Sequence, residues 1–140
     1  MNQIVPLKKV LTVGVFDLLH IAHVELFKHA KSYGEYLIVA VQKSEIVQNY
    51  KPEANLVYST EERMYMAKSI KYVDEVIPYE RVDDLVKTID FDILVTGPDQ
   101  NHQGFIEAIK WCQSHGKQTI VVPRTEGIST SWLKEQIKKM

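Results

Sequence analysis

Two histidines three residues apart are the part of this 140-residue sequence that points most directly to chemistry. His20 and His23 follow an apolar stretch and the turn Gly14 to Asp17, and residues three apart in a helix share one face. Free backbone N–H groups at a helix N-terminus favour an anion, and two imidazole donors beside them suit a phosphate whose charge grows during reaction. The spacing is consistent with a phosphate site or with two unrelated surface histidines.

The same segment also fits a metal site. Asp17, His20 and His23 form a D-x-x-H-x-x-H set, and carboxylate with imidazole suits zinc or iron in a metal-dependent hydrolase. The other histidines are scattered, and no cysteine or acidic pattern close by supplies further ligands. The sequence therefore favours the phosphate site over the metal site.

A second polar cluster lies near the end of the chain. Arg124 precedes Gly127, and three hydroxyl residues follow, Ser129, Thr130 and Ser131. A capping hydroxyl, free helix N–H groups and a guanidinium can together hold a polyphosphate. Helix capping by Ser129 alone would explain one hydroxyl but neither the arginine nor the glycine. The cluster predicts a second anion site.

Alternating strands and helices must position these clusters. Apolar, β-branched stretches predict strands at Lys9–Phe16, Tyr36–Val41, Val73–Pro78, Phe91–Thr96 and Gln118–Val122. Helical spacing and capping signals predict helices at Ile21–Ser32, after the Ser59/Glu62 capping box, and at Asp83–Thr88, Gly104–Ser114 and Ser129–Lys139. Gln42–Val57 is predicted to be a polar loop. The alternation predicts a three-layer α/β fold with a mostly parallel sheet, whose ligands bind at the carboxyl ends of the strands.

Composition narrows the class of protein. The 17 Lys and Arg against 18 Asp and Glu argue against a partner that is a nucleic acid or an anionic membrane. A single cysteine forms no internal disulfide and suits the cytoplasm, and the longest apolar run, Tyr36–Val41, is too short to span a membrane. The length predicts one domain over residues 1–140, with a flexible start at Met1–Leu7.

The two clusters together resemble a known family. Gly14 to His23 resembles the G-x-F-D-x-x-H-x-G-H signature of the cytidylyltransferase branch of the HIGH-motif nucleotidyltransferases, and Arg124 to Thr130 resembles its R-T-x-G-I-S-T signature. Tyr58 to Pro78 resembles the small bacterial glycerol-3-phosphate cytidylyltransferases. The resemblance implies a Rossmann-like, five-stranded fold, usually in a cytoplasmic homodimer. It also implies transfer of CMP from CTP to a phosphorylated small alcohol, best matched by glycerol 3-phosphate, with release of pyrophosphate.

The resemblance further implies roles for single residues. The catalytic residues would be His20, His23, Arg124 and Lys51, with Lys43 as the rival of Lys51. The nucleotide would be bound by Val15, Phe16, Asp17, Gly127, Ile128, Ser129 and Thr130. The acceptor would be bound by Arg63, Asp99 and Gln100. Magnesium would bind with the nucleotide phosphates, and no side chain is predicted to be a metal ligand.

Two departures from the family pattern leave alternatives open. Ala22 stands where the signature has glycine, and Gly97 to His102 replaces a glycine-acid-acid-tryptophan turn. Another polyol, sugar or aminoalcohol phosphate could be the acceptor, and an adenylyltransferase is a second alternative. A nucleotide-binding module without turnover is the alternative from a different class. A nicotinamide oxidoreductase is disfavoured because no G-x-G-x-x-G follows the first strand.

Overall fold

Five parallel strands form the sheet in the computed structural model, which describes residues 7–140. The strands are β1 Lys9–Gly14, β2 Tyr36–Gln42, β3 Glu75–Tyr79, β4 Ile93–Thr96 and β5 Gln118–Val121, in the order β3-β2-β1-β4-β5. Every neighbouring pair is parallel, so the predicted α/β class and five-stranded sheet are confirmed. The prediction of a flexible start lies, for residues 1–6, outside the described residues.

Six helices accompany the strands in the described part of the chain. They are α1 Ile21–Lys31, α2 Ser44–Tyr50, α3 Thr60–Lys68, α4 Val82–Leu85, α5 Gln103–Ser114 and α6 Thr130–Lys138. The predicted capping box is present, since Ser59 and Glu62 exchange side-chain to backbone hydrogen bonds at the start of α3. None of the helices among residues 7–140 has the length and apolar character that a membrane crossing requires.

Helix α2 corrects the prediction of a continuous polar loop over Gln42–Val57. Only Val47 of this short helix is buried, and the side chain of the N-cap residue Lys43 makes no capping hydrogen bond, so the sequence shows neither a periodic apolar face nor a start signal. A tertiary contact supports the helix instead, because the Tyr50 hydroxyl donates to Gln42 Oε1 at 2.7 Å. Residues 51–59 remain irregular.

Two apolar clusters pack on opposite faces of the sheet and make the fold three-layered. One contains Phe27 of α1 and Ala67 of α3, and the other contains Leu85 of α4 and Phe105 of α5. The buried, near-continuous apolar strands β1, β2 and β4 are typical of a parallel sheet covered on both sides.

The order of the strands fixes where a ligand can bind. The chain runs outward from β1 to β2 and β3, then returns to the other side of β1 to form β4 and β5. Connections therefore leave β1 and β4 in opposite directions, and such a switch point opens a crevice at the carboxyl ends of the strands. The turn before α1 and the turn Gly97 to His102 both lie at this edge.

Candidate functional site

The turn between β1 and α1 has a strained backbone. Phe16 and Leu18 have φ angles of 57° and 52°, a region that bulky residues rarely adopt. The buried Phe16 ring packs edge-on against His23 and Phe27, at centroid distances of 5.3 and 5.1 Å. A Cβ atom at Gly14 would lie 2.7 Å from Phe16 Cζ, so this position requires glycine. Strain of this kind is concentrated at functional sites in proteins.

The backbone at the start of α1 orients both imidazoles. His20 Nδ1 accepts the Ala22 N–H at 3.2 Å, and His23 Nδ1 accepts the His20 N–H at 3.3 Å. A nitrogen that accepts carries no proton, so these bonds assign the tautomer with the proton on Nε2 to each neutral ring. The rings stack with centroids 3.8 Å apart. The sequence spacing therefore becomes a pair of adjacent N–H donors with fixed orientation.

The N-terminus of α6 meets the first histidine. Thr130 Oγ1 lies 3.3 Å from His20 Nε2 and donates to the Asp17 carbonyl oxygen at 3.1 Å. Ser129 caps α6, because its Oγ accepts the Trp132 N–H at 3.0 Å. The two polar clusters of the sequence thus lie side by side. The capping predicted for Ser129 is present, and among residues 7–140 its hydroxyl proton has no acceptor, so it can donate to a ligand.

A cleft of about 720 Å³ opens between these elements, within the size range of small-molecule sites. All of the predicted site residues except Arg63 line the cleft, namely Val15, Phe16, Asp17, His20, His23, Lys51, Asp99, Gln100, Arg124, Gly127, Ile128, Ser129 and Thr130. Two residues of α6 that were not predicted from the sequence, Trp132 and Lys134, also line the cleft. Both follow the second motif on the same helix, and this proximity was the only available signal.

Asp17 builds the floor of the cleft. Its carboxylate is 4% exposed and accepts the N–H groups of Val57 at 2.8 Å and Tyr58 at 3.1 Å, which fastens the segment before α3 to the turn after β1. Within residues 7–140, no three His, Cys, Asp or Glu side chains are grouped so that they could hold a metal ion. The geometry therefore does not support the metal-hydrolase alternative.

The burial and hydrogen bonds of Arg63 argue against its predicted contact with an acceptor phosphate. The side chain is fully buried, and a guanidinium has five N–H donors. All five are used within the protein, at 2.7 to 3.3 Å, by the carbonyl oxygens of Val15, Gln42 and Tyr58 and the hydroxyls of Ser44 and Thr60. The residue instead joins the ends of β1 and β2 to α2 and α3.

The turn after β4 presents two further predicted residues in different ways. Asp99 forms an exposed ion pair with Arg124 at the rim of the cleft. Gln100 donates from Nε2 to the Val13 carbonyl at 2.7 Å and accepts the Gly97 N–H through Oε1 at 2.9 Å. The Gln100 amide therefore braces the turn against β1, so its predicted contact with the acceptor is not the role that this geometry favours.

Burial lowers the pKa of both cleft histidines. The pKa of His23 is lowered to about 3, first by burial and then by the charge of His20, and burial also lowers the pKa of His20. Both rings are neutral donors near pH 7 in the free protein. An anion placed against Nε2 would favour the charged form and raise both pKa values.

We expect the free energy of unfolding to decrease as the pH falls below about 6.5. The unfolded chain binds protons on histidine near pH 6.5, whereas His23 resists protonation until the pH approaches 3. The contribution of neutral His23 to the free energy of unfolding is therefore fully present above pH 6.5 and is lost as the pH falls towards 3. Urea unfolding between about pH 8 and pH 4.5 measures this loss. The free energy of unfolding should change by up to about 1.4 kcal/mol per pH unit for each proton that the unfolded chain binds in excess. His23→Gln should flatten this dependence, and His115→Gln, outside the cleft, should not. An unchanged profile in His23→Gln would contradict the assignment.

Comparisons with known proteins point to one family. The family model described as Cytidylyltransferase-like matches residues 11–136. The chain is 38% identical over 135 residues to glycerol-3-phosphate cytidylyltransferase of Bacillus subtilis (strain 168), covering 94% of this chain and 98% of that protein. It is 37% identical over 134 residues to the protein of the same name from Staphylococcus aureus (strain NCTC 8325 / PS 47), covering 94% and 96%.

A solved structure supports the fold. The crystal structure of the lipopolysaccharide core biosynthesis protein from Thermoplasma volcanium GSS1 has a TM-score of 0.70 and 23% sequence identity, and covers 86% of this chain and 98% of that one. The family match spans both histidines and the N-terminus of α6, the elements that form the cleft. The chain therefore belongs to the cytidylyltransferase-like family and is a nucleotidyltransferase.

Proposed function

We propose that this protein transfers CMP from CTP to glycerol 3-phosphate, forming CDP-glycerol and pyrophosphate. The observation that carries the proposal is the convergence of two imidazole Nε2 donors and the N-terminus of α6 on one cleft. The substrate class comes from three relatives named glycerol-3-phosphate cytidylyltransferase, 34% to 38% identical to this chain over almost its whole length.

The reaction needs position and charge stabilisation more than proton transfer. A phosphate monoester has a second pKa near 6, so the acceptor oxygen is already an anionic nucleophile at pH 7. A bond forms between this oxygen and the α-phosphorus of CTP, and the bond from that phosphorus to the bridging oxygen breaks. Pyrophosphate leaves with the electron pair. The protein must hold two anions in line and stabilise the charge that develops.

The residues of the cleft suit these tasks. His20 and His23 would donate through Nε2 to the reacting phosphate oxygens, while Ser129, Thr130 and the N–H groups of α6 bind the β- and γ-phosphates. Arg124 would contribute its charge at the rim. The remaining predicted nucleotide contacts, with base, ribose or the mouth of the site, come from Val15, Phe16, Asp17, Gly127 and Ile128.

Lys51 is the better candidate for the lysine that reaches the α-phosphate. It is the C-cap residue that follows α2 and it lines the cleft, whereas its rival Lys43 lies outside the cleft lining, with Nζ 4.0 Å from Glu80. Ala22, which replaces the family glycine, provides the N–H that orients His20 and also lines the cleft. We expect its methyl group to be tolerated, because alanine favours the helix.

Magnesium would bind with the nucleotide. The Asp17 carboxylate accepts the N–H groups of Val57 and Tyr58, and the Asp99 carboxylate pairs with Arg124, so neither is free as a ligand. Mg²⁺ usually keeps several waters and binds substrate phosphates. The donor set therefore fits an ion held mainly by the triphosphate. When bound, the ion would neutralise phosphate charge. The side chains of the cleft would keep the roles given above.

The protein is further proposed to be a cytoplasmic homodimer, as the family resemblance implies. The thiol of Cys112 is buried and unpaired, which suits a reducing compartment. Analytical ultracentrifugation of the purified chain tests the assembly. A single monomeric species across the working concentrations would contradict the dimer.

Pyrophosphate release tests the proposed reaction. CTP and ATP are each supplied with magnesium and with glycerol 3-phosphate, a polyol phosphate, a sugar phosphate, an aminoalcohol phosphate or no acceptor. We expect release with CTP that depends on glycerol 3-phosphate. Release only with ATP, or only with a different acceptor, would replace the proposed substrates. Nucleotide binding without release for any pair would favour the binding-module alternative.

Asp99→Asn is expected to strengthen CTP binding about two- to fivefold. In the free protein Asp99 competes with phosphate for Arg124, and an exposed ion pair contributes up to about 1 kcal/mol. Titration calorimetry at low ionic strength measures the affinity. The matched control is Asp90→Asn, which removes an exposed carboxylate that pairs with Lys9 instead. Weaker binding in Asp99→Asn would show that this carboxylate itself contacts the nucleotide.

A further inference from the structure

Helix α6 is attached to the molecule mainly by polar contacts. None of its nine residues is buried, so apolar packing contributes little to its position. Thr130, Leu133 and Lys134 are half-buried and lie on the face that their spacing of three and four residues creates. Because the N-terminus of this helix faces the cleft, whatever fixes α6 also fixes that part of the phosphate site.

Lys134 connects three segments that surround the cleft. Its Nζ donates to the Asn55 carbonyl oxygen at 2.9 Å and lies 3.9 Å from Asp17 Oδ2. One helical turn earlier, Thr130 contacts His20 and the Asp17 carbonyl. The same face of α6 therefore contacts both the backbone and the carboxylate of Asp17, and it also reaches the irregular segment 51–59.

The ion pair with Lys134 compensates the negative charge of the buried Asp17 carboxylate. A carboxylate that is 4% exposed must be compensated by hydrogen bonds and by a cation, because burial removes most of its hydration. Two backbone N–H groups supply the hydrogen bonds. Lys134 is the only cation with an ion-pair contact to Asp17 in the described part of the chain.

We propose that Lys134 is a positioning residue that holds α6 and segment 51–59 against the cleft. It thereby keeps Thr130 beside His20 and the N–H groups at the start of α6 directed towards a triphosphate. The proposal rests on the proposed function only in taking a nucleoside triphosphate as the ligand. It predicts that loss of Lys134 loosens α6 even in the protein without nucleotide.

The fluorescence of Trp132 reports on α6 directly. The chain has two tryptophans, and Trp111 lies on α5, stacked on His115, so Trp111→Phe leaves Trp132 as the single indole. In this background Lys134→Met is compared with Lys138→Met, which removes a lysine one turn further along α6. Lys138 has no hydrogen bond or ion pair with the residues described here. Acrylamide quenching, CTP affinity and steady-state kinetics are measured for each variant.

We expect Lys134→Met to raise the Trp132 quenching constant about twofold without nucleotide. The KM for CTP should rise about tenfold, with a smaller decrease in kcat, because α6 must be ordered before CTP can bind. Lys134→Arg should restore most of both properties, and Lys138→Met should match the parent. The thermal midpoint of Lys134→Met should fall by roughly 5 °C, because the buried Asp17 carboxylate loses its cation, and that of Lys138→Met should match the parent.

Three outcomes would overturn the proposal. A raised KM with unchanged quenching in the free protein would assign Lys134 to direct phosphate contact. An unchanged quenching constant together with an unchanged KM would show that Lys134 does not position α6. Loss of the cooperative thermal transition in Lys134→Met would indicate general loss of the fold. If the parent shows no CTP turnover, the proposed function fails, but quenching and triphosphate affinity still test Lys134.

Discussion

Replacing His20 or His23 by alanine is expected to lower kcat about a hundredfold or more. Each ring has its Nδ1 engaged by a backbone N–H, so its Nε2–H is oriented before the ligand binds. A preorganised donor directed at developing charge contributes roughly two to four kcal/mol in other enzymes. The effect should lie more in kcat than in the KM for CTP, because the charge is largest in the transition state.

Single-turnover and steady-state pyrophosphate assays measure this effect. His115→Ala is the matched control, since His115 stacks on Trp111 at the end of α5 and is not among the residues that line the cleft. Near-normal kcat in both His20→Ala and His23→Ala would remove the histidines from the reaction. The double substitution should cost less than the product of the single effects, because the rings stack and His23 accepts the His20 N–H.

The sequence predicted the centre of the sheet well because the three central strands are buried on both faces. In β1, β2 and β4, buried side chains are consecutive, so each strand appears as an apolar run whatever its neighbours are. Helix α2 was missed because its one buried residue, Val47, produces no period. Tertiary contacts determine this helix, and these are not encoded in local spacing.

The candidate site could be predicted where a motif imposes local geometry. His20 and His23 are oriented by N–H groups within three residues, and Ser129 caps the helix that follows it. The contacts of Lys134 and Gln100 could not be predicted, because their partners lie far along the chain. Lys134 reaches Asn55, and Gln100 reaches Val13, so only the fold defines either contact.

Arg63→Met is expected to lower the free energy of unfolding by about 3 kcal/mol or more. The substitution removes five hydrogen bonds at once and leaves buried oxygen atoms without donors. Arg63→Lys should also be destabilising, because an ammonium has three donors on one nitrogen and cannot span five acceptors. Arg81→Met, which removes an exposed arginine paired with Asp83, should have little effect.

Kinetics distinguish this structural role from the predicted contact with the acceptor. If Arg63 only joins strand ends and helices, the KM of folded Arg63→Lys for glycerol 3-phosphate should be close to that of the parent. Its kcat should fall, because Asp17 and His20 are displaced. Arg63 affects these residues through Tyr58, whose carbonyl accepts from the guanidinium and whose N–H donates to Asp17. A stable variant whose acceptor KM alone rises tenfold would mean that the guanidinium turns towards the acceptor during the reaction.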